Sequence, residues 1–493
     1  MALMTGDQYR ETLRDGREVY ISGERVVDVT THPASKPMVD AMAKMYDLQH
    51  DPRYSDLFGY KTEDGELASR VYKLPETVED LRHRRQMTMA VLDEISPVID
   101  RFGDETVTPL FVMKDRRDLL DQYDVRYAQN VDRWLLKLQR ENLFMTSGNT
   151  DPKGDRSKQP FEQDDLDMYL RVVEERSDGI IISGAKFETG ACYAHVAFVK
   201  PTVGAWVAEN RDFAVACIVP LNAPNVRHFC RAPLFMGADP FDHPLAARFD
   251  ELDALIVFDN VFIPWENVIF SRQPELANLI RQDLPKWAGQ GFLTRSLAKA
   301  DLLVGTALLM TEQTGLGKIP AIKEKISKLM GYREGINAFL LASEANYKTT
   351  RTGLVIPDQS IQNAGRVFAS SNYYEMTQVL RDLAGGAAVM NPDLMSFEHP
   401  VSRRYLEKYH RIGAVSAQER LRTLNLASEL TASSFAGRMQ AYQMFAESPP
   451  PVQAMSLYNT YDRESSIQRA RNVLHVESAP PVPVPVATKL KQS

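Results

Sequence analysis

The apolar residues of this chain repeat at one period, then at a second, then at the first again, and that order restricts the folds open to it. From about residue 37 to 145, stretches such as "VEDLRHRRQMTMAVLDEISPVIDRF" and "RRDLLDQYDVRYAQNVDRWLLKLQRENLF" place apolar residues three and four apart with charges between, the pattern of amphipathic helices. From about 166 to 270 the text changes to short runs rich in Val, Ile and Phe ("DGIIISGAKFETG", "AHVAFVKPT", "FAVACIVPL", "ALIVFDNVFIPWENVIF"), punctuated by Gly, Pro, Asn and Asp. Helical periodicity returns from about 285 to 445 in segments long enough for a bundle. The order predicts an α+β protein: an N-terminal mostly helical domain over 1–145, a middle antiparallel β-domain over 146–280, a C-terminal four-helix-bundle domain over 281–446, and an extended tail over 447–493 whose Pro-rich end does not pack. A β-domain inserted between two helical ones leaves a cleft where the three meet.

Composition narrows the partners. The 493 residues, 44% of them hydrophobic, suffice for a large core divided among roughly two to four domains. A formal charge of -7 without a long basic run argues against nucleic acid. The opening "MALMTGDQYRETLRDG" lacks the apolar centre of a signal peptide, and no segment approaches about 18 uninterrupted apolar residues, so a cytoplasmic chain without a membrane span is expected. Three widely spaced cysteines, Cys192, Cys217 and Cys230, make no disulfide framework, and nine dispersed histidines show no metal-ligand spacing; no metal is expected.

The residues themselves offer cleft candidates without a decisive catalytic motif. "MTSGNTDPKGDRSKQP", 145–160, has the composition of a linker but concentrates polar groups where the chain enters the β-domain. In "SGAKFETGACYAH", Thr189 and Gly190 follow a predicted strand and suit hydrogen bonding to a flat heteroaromatic ligand, or form an ordinary strand end. Gln378 with Gly385 and Gly386 reads as a helix end with a glycine cap or as backbone open to a diphosphate. Arg438 in "SSFAGRMQAY" could hold a phosphate or pair with an acidic neighbour, and Arg101 and Arg156 allow equally plain solvated readings. Neither GxGxxG nor GxxxxGK[ST] occurs, so a dinucleotide would have to bind in another way.

Taken together, "MTGDQYRETLRDGREVYISGERVVDVTTHP", "DPKGDRSK", "DGIIISGAKFETG", "HPLAARFDELDALIVFDNVFIPWENV" and "FAGRMQAYQMF" resemble, in order from about residue 4 to 460, the oxygenase components of two-component reduced-flavin monooxygenases, the 4-hydroxyphenylacetate 3-hydroxylase family. "GLGKIPAIKEKISKLMGYREGINAFLLASE" looks closer to its chlorophenol monooxygenase branch. The resemblance implies an acyl-CoA-dehydrogenase-like fold, a homotetramer, and FADH2 (FMNH2 as the variant) delivered by a separate NAD(P)H:flavin reductase. O2 would add to give a C4a-hydroperoxyflavin that hydroxylates a phenolic or similar electron-rich aromatic. Alternatives are the same flavin chemistry on a halo- or nitroaromatic, heterocycle or nitrogen centre, and a non-catalytic scaffold retaining the fold.

Carried over by position, Arg101 of "RFGD" matches the arginine of the family's "RTPD" motif, and the resemblance assigns it a catalytic and substrate-binding role. Its charge would favour phenolate, and replacing it with Ala would cost oxygenation far more than stability. Lys153, Gly154, Asp155 and Arg156 match the flavin-contacting loop, Thr189 with Gly190 the region beside the isoalloxazine, and Phe435, Ala436, Gly437 and Arg438 a further flavin contact near the subunit interface. Ser147 and Glu105 stand where a substrate-binding histidine and tyrosine are usual; both are expected at the substrate, Ser147 also at the cofactor. The histidines of the chlorophenol branch are replaced by Gly289 and Gly291, so the usual imidazole base is missing. The related 4-hydroxybutyryl-CoA dehydratases need cysteine and histidine cluster ligands that "WAGQGFLTRS" lacks.

Overall fold

A computed structural model describes residues 3–102, 105–202, 206–445 and 448–475. The side chain of Glu105 and the Pro-rich end of the tail lie outside the described residues. The main N-terminal helices are α1 (Lys36–Leu48), α2 (Val78–Glu94) and α3 (Val125–Glu141). Each begins on a local signal: Pro37 in the first turn of α1, a capping box between Thr77 and Asp80 on α2, and the Asp124 carboxylate accepting from Arg126 N–H on α3. Asn142 ends α3 in the left-handed region, and its side-chain oxygen accepts from Met4 N–H and Gln49 Nε2, joining the chain's start to the end of this helical layer.

Ten strands form two mixed sheets: β1 (Glu18–Ile21), β2 (Glu24–Val26), β3 (Met145–Gly148), β4 (Arg171–Glu175), β5 (Gly179–Thr189), β6 (Val196–Val199), β7 (Ala216–Pro220), β8 (Val226–Cys230), β9 (Asp253–Pro264) and β10 (Val268–Phe270). The larger sheet runs β2-β1-β8-β9-β5-β4 and the smaller β10-β7-β6-β3. Most pairs are antiparallel, as expected, but β1 lies parallel to β8 and β3 parallel to β6. In both cases the strand reaches its parallel neighbour through a long connection, which sets its direction in place of a tight turn. The turn at "SDG" links β4 to β5, and a bulge between Phe258 and Val261, with Asn260 at positive φ, bends β9.

The C-terminal bundle comprises α4 (Pro274–Thr314), α5 (Pro320–Ala345), α6 (Gln359–Ala384) and α7 (Ala417–Thr431), followed by α8 (Ser434–Phe445). Helix α4 is continuous across 280 and 281, so we propose that the boundary between β-domain and bundle falls before Pro274. Gly289 lets α4 approach α6: a Cβ there would lie 2.4 Å from the Gln362 amide. Gly385 ends α6 at φ +59, in the place of a glycine cap. The tail expected to be extended instead folds over Pro450–Thr460 and Arg463–Leu474 into two further helices, because its prolines cluster at the first helical turn of one and beyond the end of the other.

Candidate active site

A cavity of about 390 Å3 opens where the two sheets meet α8. The described sequence reaches it through five separate stretches, one of them Asp253 at the start of β9. Arg101 and Thr106 come from the end of the N-terminal layer, Asn149 and Thr150 from the turn after β3, and Phe187, Glu188 and Thr189 from the end of β5. Opposite them, α8 presents Arg438, Ala441, Tyr442 and Phe445, the spacing of a single helix face.

Ion pairs fix the polar wall. Arg101, 3% exposed, donates to Glu251 Oε1 from Nε at 2.8 Å and stands 2.5 Å from it through Nη2. Arg438 grips Asp253 from Nε and Nη2 at 3.3 and 3.1 Å, and its Nη1 lies 3.9 Å from Glu251 Oε2, beyond hydrogen-bond reach. Arg231 closes the cluster, pairing with Asp250 and, at 2.8 Å, with Asp253. Burial alone would raise the Asp253 pKa, but the Arg438 charge and the hydrogen bonds from Arg438, Thr189 and Arg231 hold it down at about 2. Two neighbours are left in deficit: among the described residues, Arg438 Nη1 and Glu251 Oε2 are buried with no hydrogen-bond partner. The Tyr193 hydroxyl is in the same state, and burial, then the Glu251 charge, push its pKa well up. Behind the wall, Tyr442 takes the Arg295 guanidinium and the Lys299 ammonium against its ring at 5.0 and 4.8 Å.

Of the residues expected at a site, Arg101, Thr189 and Arg438 come together on this cavity. Gly190 lies beside Thr189, buried at φ +84, its N–H bonded to Leu252 O at 2.9 Å; a Cβ there would press on Tyr193 at 3.1 Å. The others stand apart. Ser147 is 1% exposed within β3, its hydroxyl donating to Asn149 Oδ1 at 2.8 Å; it reaches the cavity only through Asn149. Lys153, Gly154, Asp155 and Arg156 form an exposed loop outside the cavity wall, held by Gln163 and by Tyr169 O–H donating to Lys153 O at 3.0 Å. Phe435 and Ala436 face the core and Gly437 faces open space, because one helix turn cannot direct four consecutive residues to one side. Gly289 and Gly291 are buried inside α4. Among the described residues no cluster of His, Cys, Asp and Glu could hold a metal ion, and no helix is long and apolar enough to cross a membrane.

Glu188, Asp253, Glu251 and Tyr442 were not anticipated from sequence. Only the last carried a signal, since it stands four residues after Arg438 on a predicted helix.

Comparison with known proteins agrees with this architecture. The N-terminal model of 4-hydroxyphenylacetate 3-hydroxylase matches residues 5–270 and its C-terminal model residues 285–475. The 4-hydroxyphenylacetate 3-monooxygenase oxygenase component of Thermus thermophilus is 30% identical over 479 residues, covering 95% of this chain and 97% of its own. The FADH(2)-dependent monooxygenase TftD of Burkholderia cepacia is 31% identical over 458, covering 91% and 87%. A crystal structure of the oxygenase component of 4-hydroxyphenylacetate 3-monooxygenase, complexed with FAD and 4-hydroxyphenylacetate, superposes with a TM-score of 0.87 at 29% identity, covering 96% of this chain and 98% of that one. With both halves matched in order and the whole length shared, the chain belongs to the 4-hydroxyphenylacetate 3-hydroxylase family.

Proposed function

We propose that this chain is the oxygenase component of a two-component system, taking reduced FAD from a separate flavin reductase and using O2 to hydroxylate a phenolic ring. The observation that carries the reading is convergence: Arg101, Thr189 and Arg438, far apart in sequence, line one cavity, and Arg438 there keeps a buried N–H donor without an acceptor among the described residues. Such a donor fits a flavin carbonyl or phosphate oxygen. The flat faces of Phe187, Tyr442 and Phe445 on the same walls fit a planar ring system and exclude water from it.

Bound reduced flavin supplies the electrons that activate O2. The chain's own residues then bind, orient and handle protons. Arg101 is neutralised by Glu251, so it acts as an oriented hydrogen-bond donor to the substrate or flavin oxygen rather than as a bare cation. Two carboxylates line the cavity. Asp253, held at about 2 by its partners, is a poor proton acceptor; Glu188, whose Oε1 accepts the Thr146 hydroxyl at 3.0 Å, takes the phenol proton in place of the absent imidazole. Lys153 and Arg156, exposed on the loop outside the cavity wall, would hold the flavin's diphosphate. The buried Ser147 and the helix-bound Gly289 and Gly291 keep a second reading open, in which the same chemistry acts on a halo- or nitroaromatic, heterocycle or nitrogen centre.

We further propose a cytoplasmic homotetramer. Apolar side chains exposed on the C-terminal helices, among them Met455, Tyr458, Val473 and Leu474, support assembly, and light scattering returning a monomer mass would overturn it.

The function is tested by supplying the purified chain with FADH2 from a generic reductase, 18O2, and a panel of phenols, chlorophenols, nitrophenols, heterocycles and amines. Label in a catechol supports the first reading, label only in a heterocycle or amine product the second. Flavin oxidation with no labelled organic product supports the scaffold.

A further inference from the structure

A second pocket, of about 470 Å3, lies apart from the cavity above, between the start of the chain, the end of α1 and the hairpin that pairs Gly59–Lys61 with Leu67–Ser69. That is the size of a small-molecule site. Its walls are mixed: Leu3 and Leu67 are apolar, the Tyr60 ring stands with them, and Asp56 and Lys61 bring opposite charges to the exposed rim. Gly59 keeps the space open. A Cβ there would fall among residues of the lining, 3.1 Å from Leu67 Cδ1, 3.5 Å from Ser55 O and 3.6 Å from Leu3 Cδ1.

The wall holds one buried deficit. Gln49 is 3% exposed, and among the described residues its Oε1 has no hydrogen-bond partner. Turning the amide over does not remove the deficit. Gln49 Nε2 donates to Tyr46 O at 3.3 Å and to Asn142 Oδ1 at 3.1 Å, and the latter atom is fixed as an oxygen because it also accepts from Met4 N–H at 3.0 Å. A buried acceptor that is locked and unmet calls for a donor. The neighbouring groups are already engaged: the Tyr60 hydroxyl donates to Gln139 Oε1 at 3.0 Å, and His50 Nε2 lies 3.2 Å from Met4 O. A cation is the wrong donor here, since the Tyr60 ring already has the Arg70 guanidinium and the Lys73 ammonium against it at 5.5 and 5.6 Å, and a further positive charge would be repelled. A neutral hydroxyl on a flat apolar body meets every condition, with the ring between Leu3, Leu67 and Tyr60.

We propose that this pocket is a second small-molecule site, for an uncharged hydroxyl-bearing aromatic whose O–H donates to Gln49 Oε1. Its ligand class overlaps the phenolic ring proposed as substrate, but no residue of the flavin cavity enters the argument, so the inference stands apart from that reading.

The test is 19F NMR titration of the full, flavin-free chain at pH 7 with 4-fluorophenol and, separately, with 4-fluoroanisole, which has the same ring and no proton to donate. Wild type is expected to show a bound signal with 4-fluorophenol held about tenfold tighter than 4-fluoroanisole, the worth of one hydrogen bond to a buried acceptor. Gln49→Met, which keeps the side chain's length, should bring the two within about twofold. Gly59→Val, which fills the pocket at a backbone conformation open to any residue, should remove that signal for both; if it melts, Gln49→Met decides. Equal affinities in wild type overturn the hydroxyl contact and with it the ligand class. No bound signal in wild type, or signals unchanged in both variants, overturn the site.

Discussion

Two clusters of buried charge lie on the sheets, alike in chemistry and opposite in access. The first, Arg101 with Glu251 and Arg438 with Asp253, forms the wall of a cavity of about 390 Å3. The second joins Lys186 to Asp151, with Lys200 beside them, around a space of about 10 Å3 roofed by Pro160, Tyr169 and Trp206. Lys186 also donates to Lys200 O at 2.7 Å, and Asp151 accepts from Thr202 N–H at 3.3 Å. In the sealed cluster the described network ties strand ends to the loop over 151–169. In the open one Arg438 Nη1 and Glu251 Oε2 remain unsatisfied. Burial of charge alone does not mark a site; unsatisfied charge beside a cavity does.

The largest effect is expected at Arg101. Arg101→Ala leaves Glu251 charged, fully buried and deprived of its main partner, so we expect roughly 3–5 kcal/mol of lost stability together with a loss of coupled oxygenation of about a hundredfold or more. This revises the expectation that the substitution would cost oxygenation far more than stability, because the Arg101–Glu251 pair is buried and holds the fold as well as bordering the cavity. Adding Glu251→Gln should return most of the stability, measured by denaturant titration, and none of the oxygenation. If both recover together, Arg101 serves only the fold.

Lys186→Met should show the contrast. Removing the sealed partner of Asp151 should cost about 3 kcal/mol by the same mechanism, while FADH2 affinity of the folded protein stays unchanged. A fall in affinity equal to that of a cavity variant would erase the distinction between the clusters.

Lys200 supplies a pH signature of the sealed side. Burial, reinforced by the Lys186 charge, pushes its pKa down to about 8. Its folded value lies below its unfolded one, so the unfolded chain binds more protons between about 8 and the ordinary lysine value of about 10.4. The cost of charging Lys200 is present below this window and relieved as pH rises through it. Stability should therefore rise across that range, and Lys200→Met should remove the rise; an identical profile in the variant would contradict it.

How far these features could be read from sequence follows from the range of the interactions that make them. The order of helices, strands and helices was legible because periodicity is local, as was the glycine cap at Gly385. The parallel entry of β1 and β3 was not, since it depends on where a distant layer sits. Arg101, Thr189 and Arg438 were candidates from their residue types, and the resemblance singled them out from the plainer readings. Their partners were not: Glu251 and Asp253 occupy a stretch that reads as an ordinary charged turn, and only folding brings them to Arg101 and Arg438. Phe435 to Arg438 were expected as a block, and the helix disperses them: Phe435 and Ala436 turn to the core while Arg438 reaches the cavity.

The smallest effect is expected at that exposed loop. Lys153→Ala with Arg156→Ala should weaken FADH2 binding about fivefold and flatten its salt dependence, with no change in melting, because solvated charges contribute modestly and are screened. No change in the salt dependence would remove the loop from the cofactor site.

The most direct measurement is a crystal structure of the full chain grown anaerobically with FADH2. The account predicts an isoalloxazine in the cavity between Thr189 and Arg438, with Arg438 Nη1 having gained an acceptor and Lys186 and Asp151 unmoved. Flavin bound elsewhere, or a cavity that excludes it while the protein binds flavin in solution, would contradict it.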